Sequence, residues 1–87
     1  MNGILLNKAD TVVTVTEDIP AGAVVSYLLD AAEVKLLSVE AIPQYHKMAI
    51  ADIKAGENVL KYGESIGYAT RDISTGQHVH THNMDNQ

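Results

Sequence analysis

The 87-residue sequence contains no cysteine, no tryptophan and no phenylalanine, and its only aromatic residues are four tyrosines. The absence of cysteine excludes a disulfide framework, a thiolate zinc site and a cysteine nucleophile. Basic residues are scarce: six Lys and Arg stand against eleven acids, so the net charge is −5 and a nucleic-acid-binding surface is not expected. No apolar run approaches the roughly 20 residues that span a bilayer, so no membrane partner is expected.

The length predicts a single domain over residues 1–87. The opening residues, MNGILLNKAD, have no basic segment followed by a long apolar stretch, so we predict no secretory signal and a cytoplasmic location. A domain of this size has a thin stability margin and often relies on a partner.

The residue types favour β-structure, because Val, Ile and Thr together make up 22 residues. The apolar spacing over 27–37 also fits a helix, but the alternation from Glu33 to Leu36 favours a hairpin. We therefore predict an all-β fold of short strands with little or no helix. The other strands are predicted over 4–7, 11–16, 24–29, 47–51, 57–61, 65–70 and 77–82.

The pattern Asp-Ile-x-x-Gly-x-x-Val occurs at 18–25, 52–59 and 72–79. In this interpretation, the Ile ends a strand and enters the core, and the Gly supplies a positive φ in the turn. The Asp hydrogen-bonds nearby backbone amides and fixes the turn. We expect three similar turns with Ile19, Ile53 and Ile73 buried.

Alternate histidines end the sequence, at His78, His80 and His82. In a strand these residues share one face, about 6.5–7 Å apart at successive steps. An adjacent pair can converge on one metal ion, with the third supporting it or contacting a partner. Imidazole suits Fe(II), Mn(II), Ni(II) or Zn(II). The alternative is a solvated strand or an interface; we predict all three as candidate metal ligands.

Two further positions carry candidate chemistry. His46 and Lys47 follow Ile42-Pro43, where a loop is expected to enter a strand. A neutral His can relay a proton near pH 7, and a Lys can hold a carboxylate, so this pair is the predicted catalytic pair; a plain surface pair is the alternative. Lys61 begins a predicted tight hairpin and is a candidate substrate-binding residue through contact with an anion.

Taken together, these motifs resemble the SAF domain of the altronate/galactarate dehydratase family, and the small subunit of sulfolactate sulfo-lyase. The resemblance is densest from 42 to 83 and most specific in its His-rich ending. The chain departs from it at Tyr45, where the family places a glycine, and such a glycine indicates a special backbone angle. The segments that carry the resemblance are Ile42-Pro43, His46-Lys47, Asp52-Ile53, Lys61-Tyr62-Gly63, Ile66-Gly67, Asp72-Ile73 and 78–83.

The resemblance implies a β-clip fold and a role as the small subunit or N-terminal domain of a sugar-acid dehydratase, a hydro-lyase. It implies a divalent metal, Fe(II) first with Mn(II) or Zn(II) as alternatives, and places His46 at the active-site rim. A large catalytic subunit or domain would complete the site, so the chain alone should be inactive. A sulfolactate sulfo-lyase subunit, a non-catalytic carbohydrate-binding or assembly module, a metal-handling protein and a homo-oligomer stay open as alternatives.

Overall fold

The computed structural model of the protein describes residues 1–86, and every regular element in that range is a β-strand, which confirms the all-β prediction. No helix in the described range is long and apolar enough to cross a membrane. The strands are β1 (Gly3–Ile4), β2 (Val12–Val15), β3 (Val24–Leu29), β4 (Ala32–Leu37), β5 (Lys47–Ala49), β6 (Asn58–Lys61), β7 (Glu64–Ala69), β8 (His78–Val79) and β9 (Met84–Asp85).

The strands form three antiparallel sheets, with orders β1-β2-β5-β8, β3-β4 and β6-β7-β9. The segment that also fitted a helix is the β3–β4 hairpin, in which Val24 pairs with Leu37. Its turn residues Asp30 and Ala31 both have positive φ, as a two-residue hairpin turn requires. The predicted hairpin is therefore confirmed.

The four-stranded sheet has a buried cluster on each face. Val12 and Ala49 belong to one cluster, whereas their chain neighbours Val13 and Met48 belong to the other. This division follows from the two-residue period of a strand, in which successive side chains point to opposite faces. The central strands β2 and β5 are thus fixed on both sides, and β5 gives a rigid support to the residues at its start.

The repeated turn occurs four times. Ile19, Ile53 and Ile73 are 1–3% exposed, which confirms their predicted burial. The additional copy, at 42–46, escaped the sequence pattern because Ala41 and Tyr45 stand where the other copies have Asp and Gly. In chain order, the first to fourth turns span 19–23, 42–46, 53–57 and 73–77.

The aspartates of the repeat cap the opposite turn rather than their own, which corrects the sequence-based expectation. Isolated bridges join the first turn to the second and the third to the fourth. Asp52 Oδ1 accepts hydrogen bonds from the N–H (2.9 Å) and the hydroxyl (3.0 Å) of Thr75. Asp18 and Asp72 likewise accept from the N–H groups of Gln44 (2.8 Å) and Ala55 (2.9 Å). Each carboxylate therefore links two turns that are distant in sequence.

We expect acid to weaken this link at Asp52. The N–H and then the hydroxyl of Thr75 lower the pKa of Asp52 below its usual 3.8. A carboxyl with a lowered folded-state pKa stabilises the fold above its unfolded pKa, and that stability is lost as pH falls through the folded pKa. The free energy of unfolding can be measured by urea titration at several pH values between about pH 5 and pH 2. As the pH is lowered, it should fall less steeply in Asp52→Asn than in the wild type. The exposed Glu33→Gln is the control, and equal slopes for wild type and Asp52→Asn would contradict the prediction.

The tip of the β6–β7 hairpin is clamped by a buried carboxylate. Asp10 accepts hydrogen bonds from the N–H of Tyr62 (3.0 Å) and from the N–H of Gly63 (2.7 Å). These are the two residues of the turn, and both have positive φ. The clamp fixes the end of β6, where Lys61 lies.

The strand predicted over 77–82 is shorter than expected. β8 ends at Val79, and the N–H groups of Asn83 (3.2 Å) and Met84 (3.0 Å) both donate to the carbonyl of His80. The chain therefore turns at 80–83 and returns as β9 beside β7. The expectation that His78, His80 and His82 share one strand face is thus wrong, because only His78 lies in a strand.

Candidate metal centre

His46 lies at the last position of the second turn, where its side chain is not needed as a hydrogen-bond acceptor within the turn. In the third turn, the residue at this position is Glu57, whose Oε1 accepts from the N–H of Lys54 (2.7 Å). The second turn has Pro43 in place of Lys54, and proline has no N–H that needs such an acceptor. As in the other three turns, the backbone N–H of the last residue closes the turn, here from His46 to the Pro43 carbonyl (3.0 Å). Position 46 can therefore carry an imidazole at no loss to the turn.

The next histidine, His78, comes beside His46 through the pairing of β5 with β8. Met48 of β5 pairs with His78 of β8, so the side chains of residues 46, 48 and 78 lie on the same face of the antiparallel pair. The N–H of His78 donates to Glu40 Oε2 (2.9 Å), which holds the outer side of β8. Two residues that are 32 apart in sequence thus reach one point.

Asn83 folds the chain back after β8 and places His80. Its Nδ2 donates to the His78 carbonyl (2.8 Å), and its Oδ1 accepts from the His80 N–H (3.0 Å). Asn83 is 4% exposed, and Arg71 donates to the carbonyl of His82 in the same turn. The turn brings the His80 ring over His46 rather than along the strand direction.

Three half-buried imidazoles converge as a result. His46 Nδ1 and His78 Nε2 are 2.8 Å apart, so one ring donates a hydrogen bond to the other. The ring centroids of His46 and His80 are 4.3 Å apart and stacked. One ring nitrogen from each of His46, His78 and His80 lies within 4.8 Å of the other two. We call these residues the three-histidine cluster.

The cluster fits a divalent metal ion by its donor set. Neutral imidazole is the commonest metal ligand among protein side chains, and it suits Fe(II) and Zn(II). Three protein ligands leave coordination positions open, as in catalytic rather than structural metal sites. Burial first, and then the charges of neighbouring histidines, lower the pKa of His78 and of His80. Both rings therefore stay neutral near pH 7, the form that binds a metal.

Of the other predicted site residues, His82 lies against the cluster and Lys47 directly follows His46, whereas no hydrogen bond or ring contact among residues 1–86 joins Lys61 to the cluster. His82 is exposed in the turn, and its ring lies against that of His78 with centroids 5.1 Å apart. Lys47 is half-buried, and burial, then the charge of Lys61, lower the pKa of its ammonium group. The Lys61 Nζ lies 5.3 Å from the centroid of the Tyr62 ring. Among residues 1–86, no carboxylate pairs with either lysine.

Sequence reasoning missed the two supporting residues, Glu40 and Asn83. An Asn three residues after His80 is a recognisable local signal, because such a side chain can cap the intervening turn. Glu40 gives no such signal, since its partner His78 is 38 residues away. The structure thus brings His46, predicted as a catalytic residue, beside the predicted metal ligands His78 and His80, and it adds two side chains that hold these residues in place.

The chain is similar over most of its length to parts of known lyases. All residues, 1–87, match the model of the altronate/galactarate dehydratase SAF domain. Altronate dehydratase of Escherichia coli is 41% identical over 83 residues, which cover 95% of this chain and 16% of that protein. The alpha subunits of (2R)-sulfolactate sulfo-lyase are 44% identical over 54 residues in Paracoccus pantotrophus and 38% over 74 in Chromohalobacter salexigens. These matches cover 62% and 83% of this chain, and 81% and 79% of the subunits.

Proposed function

The chain belongs to the altronate/galactarate dehydratase SAF domain family, and on that premise we propose that it is the small subunit or domain of a metal-dependent sugar-acid dehydratase. It would supply metal-binding histidines to a site that a larger catalytic region completes. The observation that carries the proposal is the convergence of His46, His78 and His80 within 4.8 Å.

The metal ligands in this proposal are the three histidines of the cluster, and Fe(II) is the first candidate, ahead of Mn(II) and Zn(II). When bound, such an ion acts as a Lewis acid towards the negative charge that develops during the reaction. His82, which lies against His78, is the remaining candidate from the sequence. Metal titration of His80→Ala and His82→Ala separates its role from that of His80.

The residues of the chain can serve part of a dehydration. In that reaction a base takes the proton α to the carboxylate, and the β-hydroxyl leaves with a proton as water. His46, which the sequence suggested as a proton relay, is a metal ligand in this proposal, so its lone pair is not free and the larger partner would supply the base. Lys47 and Lys61 have no ion-pair partner among the described residues and are suited to hold the carboxylate of the acid.

A larger partner follows from two observations. The three-histidine cluster lies on the surface and outside two grooves that residues 1–86 form. One groove is lined by Ile4 and Leu28, the other by Pro20 and Pro43, and neither includes a residue of the cluster. The altronate dehydratase that the chain resembles is much longer, since the match covers 16% of it. Elimination requires a water-excluding site with positioned acid and base groups, which a second chain or domain would provide.

The similarity to sulfo-lyase alpha subunits supports a second candidate function. At 44% identity, the Paracoccus subunit is as similar to the chain as the dehydratase is, over a shorter match. In that reaction sulfite would replace water as the leaving group, and the same histidines and lysines would serve. The two functions differ in substrate, so an assay separates them.

The proposal is tested by measuring metal binding and turnover separately. The isolated chain, stripped with a chelator, should bind about one Fe(II), Mn(II) or Zn(II) ion by calorimetric titration. It should not turn over altronate, galactarate or sulfolactate, whereas the complex with its larger partner should act on one of them and lose activity on chelation. A chain that binds no metal, or a complex that is indifferent to chelators, would contradict the proposal. A complex active on none of the three acids would favour a non-catalytic module.

A further inference from the structure

Tyr45 occupies the one turn position that the other three copies give to glycine. The φ angles of Gly22, Gly56 and Gly76 are 81°, 87° and 93°, and that of Tyr45 is 67°. The left-handed conformation is unfavourable for a residue with a Cβ, and a bulky side chain there is an outlier. Three of the four turns have a glycine at this position, and the second turn is the exception.

Among residues 1–86, no hydrogen bond or ring contact of the side chain accounts for a tyrosine at this position. The backbone N–H of Tyr45 donates to the Val15 carbonyl (2.8 Å), a bond that any residue but proline would make. The side chain is 70% exposed, and within residues 1–86 its hydroxyl has no hydrogen-bond partner. A residue that is held in an unfavourable conformation, with no hydrogen bond from its side chain to the described residues, points to a role outside the chain.

The position of Tyr45 limits what that role can be. It directly precedes His46, whose Nδ1 lies in the three-histidine cluster, and consecutive Cα atoms are about 3.8 Å apart. The backbone of Tyr45 therefore lies next to the cluster. A tyrosine offers a flat apolar ring together with a hydroxyl that donates and accepts hydrogen bonds. This combination suits a ligand that carries several hydroxyl groups along a carbon chain.

We propose that Tyr45 is a specificity-determining residue that contacts the hydroxyl-bearing chain of a polyhydroxy acid bound at the three-histidine cluster. This inference rests on the proposed metal-dependent function. It separates the roles of neighbouring residues: the metal and the lysines hold groups that every hydroxy acid has, and Tyr45 contacts the hydroxyls that only a longer sugar acid has. Tyr45 should therefore discriminate between acids rather than bind them all more tightly.

The test uses the chain loaded with Co(II), whose visible spectrum reports both metal binding and a change in its ligands. Two probes are titrated: gluconate, which carries a polyol chain, and lactate, which has only the hydroxyl beside the carboxylate. Tyr45→Gly and Tyr45→Phe should each weaken gluconate binding by about fivefold or more, as expected for loss of one hydrogen bond. Lactate binding should stay unchanged in both variants.

Ala31→Gly is the matched control, because Ala31 also has a positive φ (67°) and lies in the β3–β4 turn. Both glycine variants should raise the melting temperature, and only Tyr45→Gly should alter gluconate binding. Two outcomes overturn this inference alone, provided that cobalt binds. In the first, the wild type and Tyr45→Gly bind gluconate equally well; in the second, neither binds gluconate. Absence of the cobalt spectrum overturns both this inference and the proposed function. Weaker association of Tyr45→Gly with the larger protein, at unchanged gluconate affinity, also overturns it and assigns the ring to an interface.

Discussion

Replacing His80 by alanine should lower the affinity of the chain for a divalent metal ion by about 100-fold or more, because loss of a direct ligand should exceed the 10–100-fold effect of losing a supporting group. His80 contributes one of the three converging ring nitrogens, whereas His82 lies outside that set. His82→Ala should therefore change the affinity by less than about tenfold, below the range expected for a supporting group. Competitive titration with a chromophoric chelator measures both variants.

The comparison of these two variants decides between two ligand sets. Strand periodicity predicts His78, His80 and His82, and the folded chain brings together His46, His78 and His80. Equal losses in His80→Ala and His82→Ala would restore the strand-based set. Unchanged affinity in His80→Ala would show that the cluster is not a metal centre. The melting temperature of each metal-free variant should stay near that of the wild type, because both side chains are at least partly exposed.

The turn repeat was readable from sequence because its determinants are local. Within one copy, the Ile enters the core, the Gly takes a positive φ and the Val re-enters the sheet, so spacing alone identifies it. The copy at 42–46 was hidden because Tyr45 stands in the position of the glycine. Which turn each Asp caps was not readable, since Asp18 bonds to an amide 26 residues away. Pairing of turns is a property of the whole fold.

The candidate site likewise has one part that the sequence predicts and one part that depends on the whole fold. That His78 and His80 lie together follows from their spacing in the sequence. That His46 joins them depends on the register of β5 against β8, in which Met48 meets His78. A shift of one residue in that register would turn His46 to the other face of the sheet. No local pattern encodes this register, so the sequence could name His46 but could not place it in the cluster.

Asn83→Ala should lower both the stability of the fold and its affinity for a metal ion. The buried side chain makes two hydrogen bonds, to the His78 carbonyl and the His80 N–H. Its loss leaves both groups without a partner, so the free energy of unfolding should fall by about 2–4 kcal/mol in urea titrations. The metal affinity should also fall, by about 10–100-fold, because His80 is no longer held over His46.

The two effects of Asn83 can be separated by a conservative variant. Asn83→Asp keeps an acceptor for the His80 N–H but cannot donate to the His78 carbonyl when ionised. We therefore expect it to retain more metal affinity than Asn83→Ala while still losing stability. Asn86→Ala, at an exposed position nearby, is the control and should leave both quantities unchanged. If Asn83→Ala loses stability but binds metal as the wild type does, Asn83 supports the fold alone, and the cluster holds its geometry through β5 and β8.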